Sequence, residues 1–341
     1  MSSPLPPQER FSPHDALPPV EPPNAGFILQ LFIVPGIIVV VVVMIWLMFN
    51  WLAHMGNDSD AFVRALARNN EARWQAAYNL ATALQAERRS GQQQLTVDKR
   101  LAEQLAGILN TEIDAGSMDE RPITLRIYLS RALGEFRVDD GLPTLIKAAT
   151  IQRDEREADV RRAAIEGIAL LAANFDASDN RFVENAKLKD ALVEAASDPD
   201  PRTRAAAAVA MGVVGGEPFI EKLHFMLMDT HPDVRYNAAV RLAQHGDVAA
   251  VEVLTEMLDQ EEQAGVDTEK EENMRPFKRS LITINALRAV EQLAASNSSA
   301  DLSGLEIAVD KVRESNAPPD IRVAATAALR QMRSRAVQPA R

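Results

Sequence analysis

The chain has 341 residues and a net charge of −11, a length that suits one to three domains and an acidity that disfavours nucleic acid, whose binding needs a concentrated cationic face. Cysteine is absent, so disulfides, a thiolate nucleophile and cysteine-ligated zinc or iron–sulfur centres are excluded. Aromatic residues make up only 5%, which predicts a core of small aliphatic side chains.

Residues 1–25, MSSPLPPQERFSPHDALPPVEPPNA, are dense in proline, which opposes helix formation, and predict a disordered, partly polyproline tail. LPPVEPP within it could serve a proline-binding domain, although a solvated tail is the simpler reading. Residues 26–53, GFILQLFIVPGIIVVVVVMIWLMFNWLA, carry no charge, and about 20 apolar residues suffice to span a bilayer. They predict a single transmembrane helix, with Trp46 and Trp51 at the membrane interface and a kink near Pro35 and Gly36. A cleaved signal peptide is the competing reading; the acidic leader and the bulk of Trp51 favour an uncleaved anchor. Arg10 is the one cation before the span, whereas Arg64, Arg68 and Arg73 follow it, so the positive-inside rule puts the C-terminal region in the cytoplasm at the inner membrane. Residues 54–68 read as a juxtamembrane segment, and 69–341 as a repeat array.

The repeats show best in two neighbouring stretches, DPDPRTRAAAAVAMGVVGG at 198–216 and DTHPDVRYNAAVRLAQHGD at 229–247. In the second, Arg235 is followed at +3, +4 and +7 by Ala238, Ala239 and Leu242, one stripe of a helix; in the first, Arg202 is followed by Ala205, Ala206 and Val209. Asp198 before Pro199 predicts an N-cap, and Gly215, Gly216 and Gly246 predict turns into second helices. The template recurs at Arg73, Arg126, Arg161 and Arg322, and at Ser280 with its cation one place early, at intervals of 33 to 53 residues. One helix pair cannot bury its apolar face alone, so such units must stack.

These copies resemble HEAT repeats, and those at 198 and 229 are most similar to the short bacterial variety named after phycobilisome lyases, with its D-P-x-V-R-x-x-A-A-x-A-L pattern. The resemblance implies an all-α, right-handed α-solenoid of about seven helix pairs, preceded here by the transmembrane helix, with the second helices lining the concave side. It also implies a ladder of acids and arginines between repeats. Asp159, Asp200, Asp233 and Asp320, with Glu71, stand two places before Arg161, Arg202, Arg235, Arg322 and Arg73, while Thr124 breaks the pattern before Arg126.

Chemistry has little purchase on this sequence. His14, His54, His224, His231 and His245 include no pair at i, i+4 and none followed by glutamate, and H-E-x-x-H, the P-loop, the dinucleotide-binding glycine fingerprint and G-x-S-x-G are all missing. The absent His-Glu pairs argue against the two-iron chemistry of deoxyhypusine hydroxylase, a HEAT-like enzyme. No catalytic, cofactor-binding or metal-binding residue and no cofactor is therefore expected. His224 and Phe225 lie on a second helix whose buried stripe is expected at Phe219, Ile220, Leu223 and Leu227, and are candidates to touch a partner. His231 reads as a turn residue, and the acidic run 259–273 as an exposed, solvated loop, with Arg275, Lys278 and Arg279 just beyond it. The expected function is a membrane-tethered scaffold that binds a protein partner of unknown identity, with no nucleic acid and no small-molecule substrate. A lyase-like enzyme or chromophore-handling protein, or an accessory subunit of a membrane complex, are the alternatives.

Overall fold

An arginine followed at +3, +4 and +7 by small or apolar residues begins a helix that buries that stripe against its neighbours. The computed structural model describes residues 25–54, 59–68, 72–176 and 179–335. The chain divides into two units, residues 1–58 and 59–341. In the first unit α1 runs Ala25–His54, thirty residues with no Asp, Glu, Lys or Arg. Within α1, side chains are described for Gly26 and 33–48, and every large apolar one from Ile33 to Met48 is exposed. Those sixteen residues span about 24 Å at the α-helical rise, less than a hydrocarbon layer. Among the described residues no helix is long and apolar enough to cross a membrane. The proline-rich tail, the Trp51 and His54 side chains, His14 and Glu71 lie outside what is described.

The second unit is built from helix pairs, and its described residues contain no strand. In chain order the pairs are α2 (Ser59–Ala67) with α3 (Arg73–Ser90), α4 (Lys99–Ala115) with α5 (Glu120–Gly134), and α6 (Leu142–Ala149) with α7 (Ala158–Ala172). They continue as α8 (Ala186–Ala195) with α9 (Pro201–Val214) and α10 (Glu217–Met226) with α11 (Pro232–Gln244). After α12 (Val251–Leu258) the short α13 (Ala264–Asp267) intervenes before its mate α14 (Arg275–Ser296), and α15 (Ser303–Glu314) pairs with α16 (Pro319–Arg335). All seven template copies fall in one layer: α3, α5, α7, α9, α11, α14 and α16, each packed on the next. The other layer holds their partners, each shorter than its mate except α4.

The template stripes of α5, α7 and α11 are core. Leu129, Ser130, Ala164, Ile165, Ile168, Ala238, Ala239 and Leu242 are wholly buried, and Leu133, Leu287 and Leu329 nearly so. In α9 the register differs from the sequence reading by two residues. Arg204, not Arg202, is the counterpart of Arg235, because Ala207, Ala208 and Met211 at +3, +4 and +7 from Arg204 are the fully buried set. The cap moves with it: Asp200, not Asp198, accepts from the Arg202 N–H at 2.9 Å, and the helix begins at Pro201. Positive φ at Gly215 and Gly216, 72° and 90°, makes the turn into α10 at positions other residues rarely adopt.

The acidic insertion is not a solvated loop throughout. Val266 in α13 is only 5% exposed, and α13 closes so tightly over Tyr236 that a Cβ on Gly265 would stand 2.4 Å from the ring. Thr268 donates to Asp233, which also receives Lys278 at 3.1 Å, so the insertion is pinned to the start of α11.

Candidate functional site

Two ladders of charge cross the repeats. The buried one links an arginine in each of α5, α7 and α9 to a carboxylate at the entrance of the next template helix. Arg126 of α5 reaches Glu157, with both side chains fully buried. Arg161 of α7 forms a two-pronged contact with Asp198 at 2.7 and 3.3 Å, and Arg204 of α9 does the same to Asp229 at 2.8 Å for each bond. The same guanidinium groups hold their own entry loops, since Arg126 donates to Ser117 O, Arg161 to Ile151 O and Arg204 to Asp198 O. At the ends the partners change: Arg73 pairs with Glu112, and Arg235 with Glu256 of α12. Burial raises the Asp229 carboxyl, but the Arg204 hydrogen bonds, the His231 N–H and nearby positive charge outweigh it and leave it below its ordinary value.

The acids expected two places before the arginines do not form this ladder. Asp159 pairs with Arg162 at 3.0 Å and with Arg202 of the next helix at 3.4 Å, Asp200 with Arg202 at 2.8 Å, and Asp233 with Lys278. They form a second, more exposed series. Asp320 and Arg322 are exposed on α16. The physical reason is the stacking offset: an arginine one turn into a helix lies beside its neighbour's entry turn, so the carboxylate in that turn meets it.

The difference between the ladders is testable by denaturation. Arg204→Ala should destabilise by about 2–3 kcal/mol because Asp229 is left largely buried and unpaired. Arg202→Ala should cost no more than about 1 kcal/mol, as that side chain is 58% exposed. Equal losses would restore the register in which Arg202 is the ladder residue.

The outer face of the template layer carries the principal concavity described. A groove of about 890 Å³ crosses α7, α9, α11 and α14, with Ala169, Leu170, Ala205, Ala206, Val209 and Val213 as its apolar lining. A second depression of about 360 Å³ crosses α3, α5 and α7, and the two share Glu166 and Leu170. In it Tyr78 and Tyr128 meet edge to face at 5.2 Å. Burial holds the Glu135 carboxyl there above its ordinary value, against the opposing charges of Arg88 and Arg89. The arginine helices line the groove; the sequence reading takes them as the first of each pair, whereas in the stack each follows its partner. A cleft of about 550 Å³ between α12 and α15 lies on the other layer.

His224 and Phe225 are therefore not groove residues. They sit on α10 in the other layer, where Phe225 is 67% exposed and His224 Nε2 lies 2.6 Å from Asp247. Phe219, Leu223 and Met226 form the buried stripe of α10. His231 does line the groove, at the start of α11, and its Nδ1 is buried without a hydrogen bond. Trp46 is 64% exposed on α1. Among the described residues no group of three or more His, Asp or Glu is placed to hold a metal ion.

Sequence reasoning missed Arg241. Its stem lies across Gly212 of α9, where an added Cβ would meet Arg241 Cβ at 2.3 Å, and desolvation lowers its guanidinium below the ordinary value. A glycine facing an arginine in the next copy is the signal that would have found it.

No curated protein matches this chain. Among solved structures it is similar to an archaeal HEAT-like repeats protein from Thermococcus onnurineus NA1, at 13% identity over 82% of this chain and 98% of that one, with a TM-score of 0.47. It is also similar to an engineered protein, at 19% identity over 82% and 99% with a TM-score of 0.41, and to human deoxyhypusine hydroxylase, at 16% over 83% and 99% with a TM-score of 0.33. Likeness this loose carries nothing about activity. The family model described as HEAT repeats matches residues 189–274, from within α8 to the short turn of helix at Glu272–Met274 before α14. That stretch includes both closely matching copies, at 198–216 and 229–247.

Proposed function

We propose that this chain is a membrane-tethered scaffold that binds a protein partner along the groove of its template helices and makes or breaks no bond of its own. The observation that carries the reading is the groove itself: an apolar floor shared by successive repeats and edged by charged side chains. Such a surface offers many weak contacts along a length, which is how stacked repeats bind. The short phycobilisome-lyase-like variety of HEAT repeat belongs to the same proposal and rests on the copies at 198 and 229.

The tether is α1. Residues 26–53 carry no charged residue in the sequence, and the described apolar side chains of α1 are exposed. The cations at Arg64, Arg68 and Arg73 favour an inner-membrane protein with cytoplasmic repeats. On alkaline extraction of cell membranes, the full chain should stay with the bilayer and a chain lacking 26–53 should not. A reporter active only in the cytoplasm, fused after Arg341, should be active. Release of the full chain by alkali would overturn the tether.

The scaffold reading is tested by a photocrosslinker placed at Val209 in the groove and, separately, at exposed Lys187 on α8. The Val209 position should join one protein, identified by mass spectrometry, that the Lys187 position does not. Capture that is the same from both positions would remove the groove from the argument.

A further inference from the structure

The chain is acidic, yet successive template helices each contribute a cation to the lining of the groove: Arg131 from α5, Arg162 from α7, Arg202 from α9, Arg241 from α11 and Lys278 from α14. Three of them are neutralised locally, Arg162 by Asp159, Arg202 by Asp200 and Lys278 by Asp233. Arg131 and Arg241 have no carboxylate within ion-pair distance among the described residues. Arg131 lies 5.9 Å from the centre of the Tyr128 ring. Arg241 gives one bond to Gln244, and its Nε is buried without a partner. A guanidinium offers five donors in a fixed fork suited to carboxylates, so a poorly hydrated one without an anion is a poised recognition group.

The geometry points to an acidic, amphipathic peptide segment of a partner protein, its apolar side chains on Leu170, Val209 and Val213 and its carboxylates on Arg131 and Arg241. This rests on the scaffold reading above and adds the partner's chemistry. The two arginines stand three helix spacings apart, about 24–30 Å at 8–10 Å per spacing. A helix of roughly 18 residues covers that distance at its 1.5 Å rise. Glu135, Glu166 and Asp233 are interleaved with the cations, an arrangement that suits separated carboxylates and repels a continuous phosphate backbone.

The test is fluorescence anisotropy with the full chain in neutral detergent and three labelled 18-residue helical peptides sharing a leucine face. One carries a glutamate pair at each end, one carries both pairs at the same end, and one has lysine in place of every glutamate. The first should bind at least tenfold more tightly than the others and weaken as salt is raised. Arg131→Gln and Arg241→Gln should each lose about tenfold while keeping the helical circular dichroism of the parent, and Arg241→Lys, which keeps the charge without the fork, should fall between. Gly212→Ala, which pushes the Arg241 stem off α9, should behave like Arg241→Gln. The proposal is overturned if the lysine peptide binds as well, if the glutamine variants bind like the parent, or if a single-stranded oligonucleotide of equal charge binds more tightly than the acidic peptide. A partner captured from Val209 alongside any of these results would keep the scaffold and discard the acidic segment.

Discussion

Glu157→Ala should destabilise the repeat array by about 3–5 kcal/mol, the loss typical when one member of a buried ion pair is removed. Glu157 is fully buried and receives two arginines: Arg126, itself fully buried, and Arg153, bonded at 2.7 and 3.1 Å. Without the carboxylate Arg153 can turn to solvent, for its side chain is 39% exposed, but Arg126 cannot. Burial already lowers the Arg126 guanidinium against the raising effect of Glu157, so the uncompensated charge would be costly. The reverse change is milder. Arg126→Met fills the space and leaves Glu157 with Arg153, so the cost should be about 1–3 kcal/mol, chiefly for hydrogen bonds lost to charged and backbone partners. Thermal and chemical denaturation followed by circular dichroism should rank Glu157→Ala as the less stable. The opposite ranking would mean that Arg153, not Arg126, is the residue Glu157 serves.

That bridge marks where reading the sequence stops being sufficient. The spacing of Arg126, Leu129 and Leu133 places the helix and its buried face, because those are local consequences of 3.6 residues per turn. The partner is 31 residues away, and no local rule says which acid will meet the arginine. In α9 even the local rule is ambiguous, since DPDPRTRAAAA has two arginines and a run of alanines, and a small-residue run fits two phases equally. The structure chooses the phase that lets Asp198 meet Arg161 and Asp229 meet Arg204. Which layer carries the groove is likewise a property of the stack. So is the insertion, where acidic composition conceals Gly265 packed against Tyr236 and a buried Val266.

Gly134→Ala should destabilise by about 2–3 kcal/mol, although alanine is the better helix former by about 1 kcal/mol. A Cβ on Gly134 would stand 2.6 Å from Gly167 Cα and 2.7 Å from Gly167 O. Those are backbone atoms of α7, with no rotamer to yield, so α5 and α7 would have to separate along the interface that holds Arg126 and Glu157. Gly167→Ala meets the mirror problem at 2.7 Å from Ser130 O. A single separation of the helices relieves both clashes, so the double variant should lose less than the sum of the two, by about 0.5 kcal/mol or more. Gly107, exposed on α4, has nothing within 4 Å of an added Cβ, and Gly107→Ala should stabilise by about 0.5–1 kcal/mol. Opposite signs at two helical glycines of one repeat pair, read as shifts in melting temperature, separate helix propensity from close approach. A stabilising Gly134→Ala would mean that α5 and α7 are not in backbone contact.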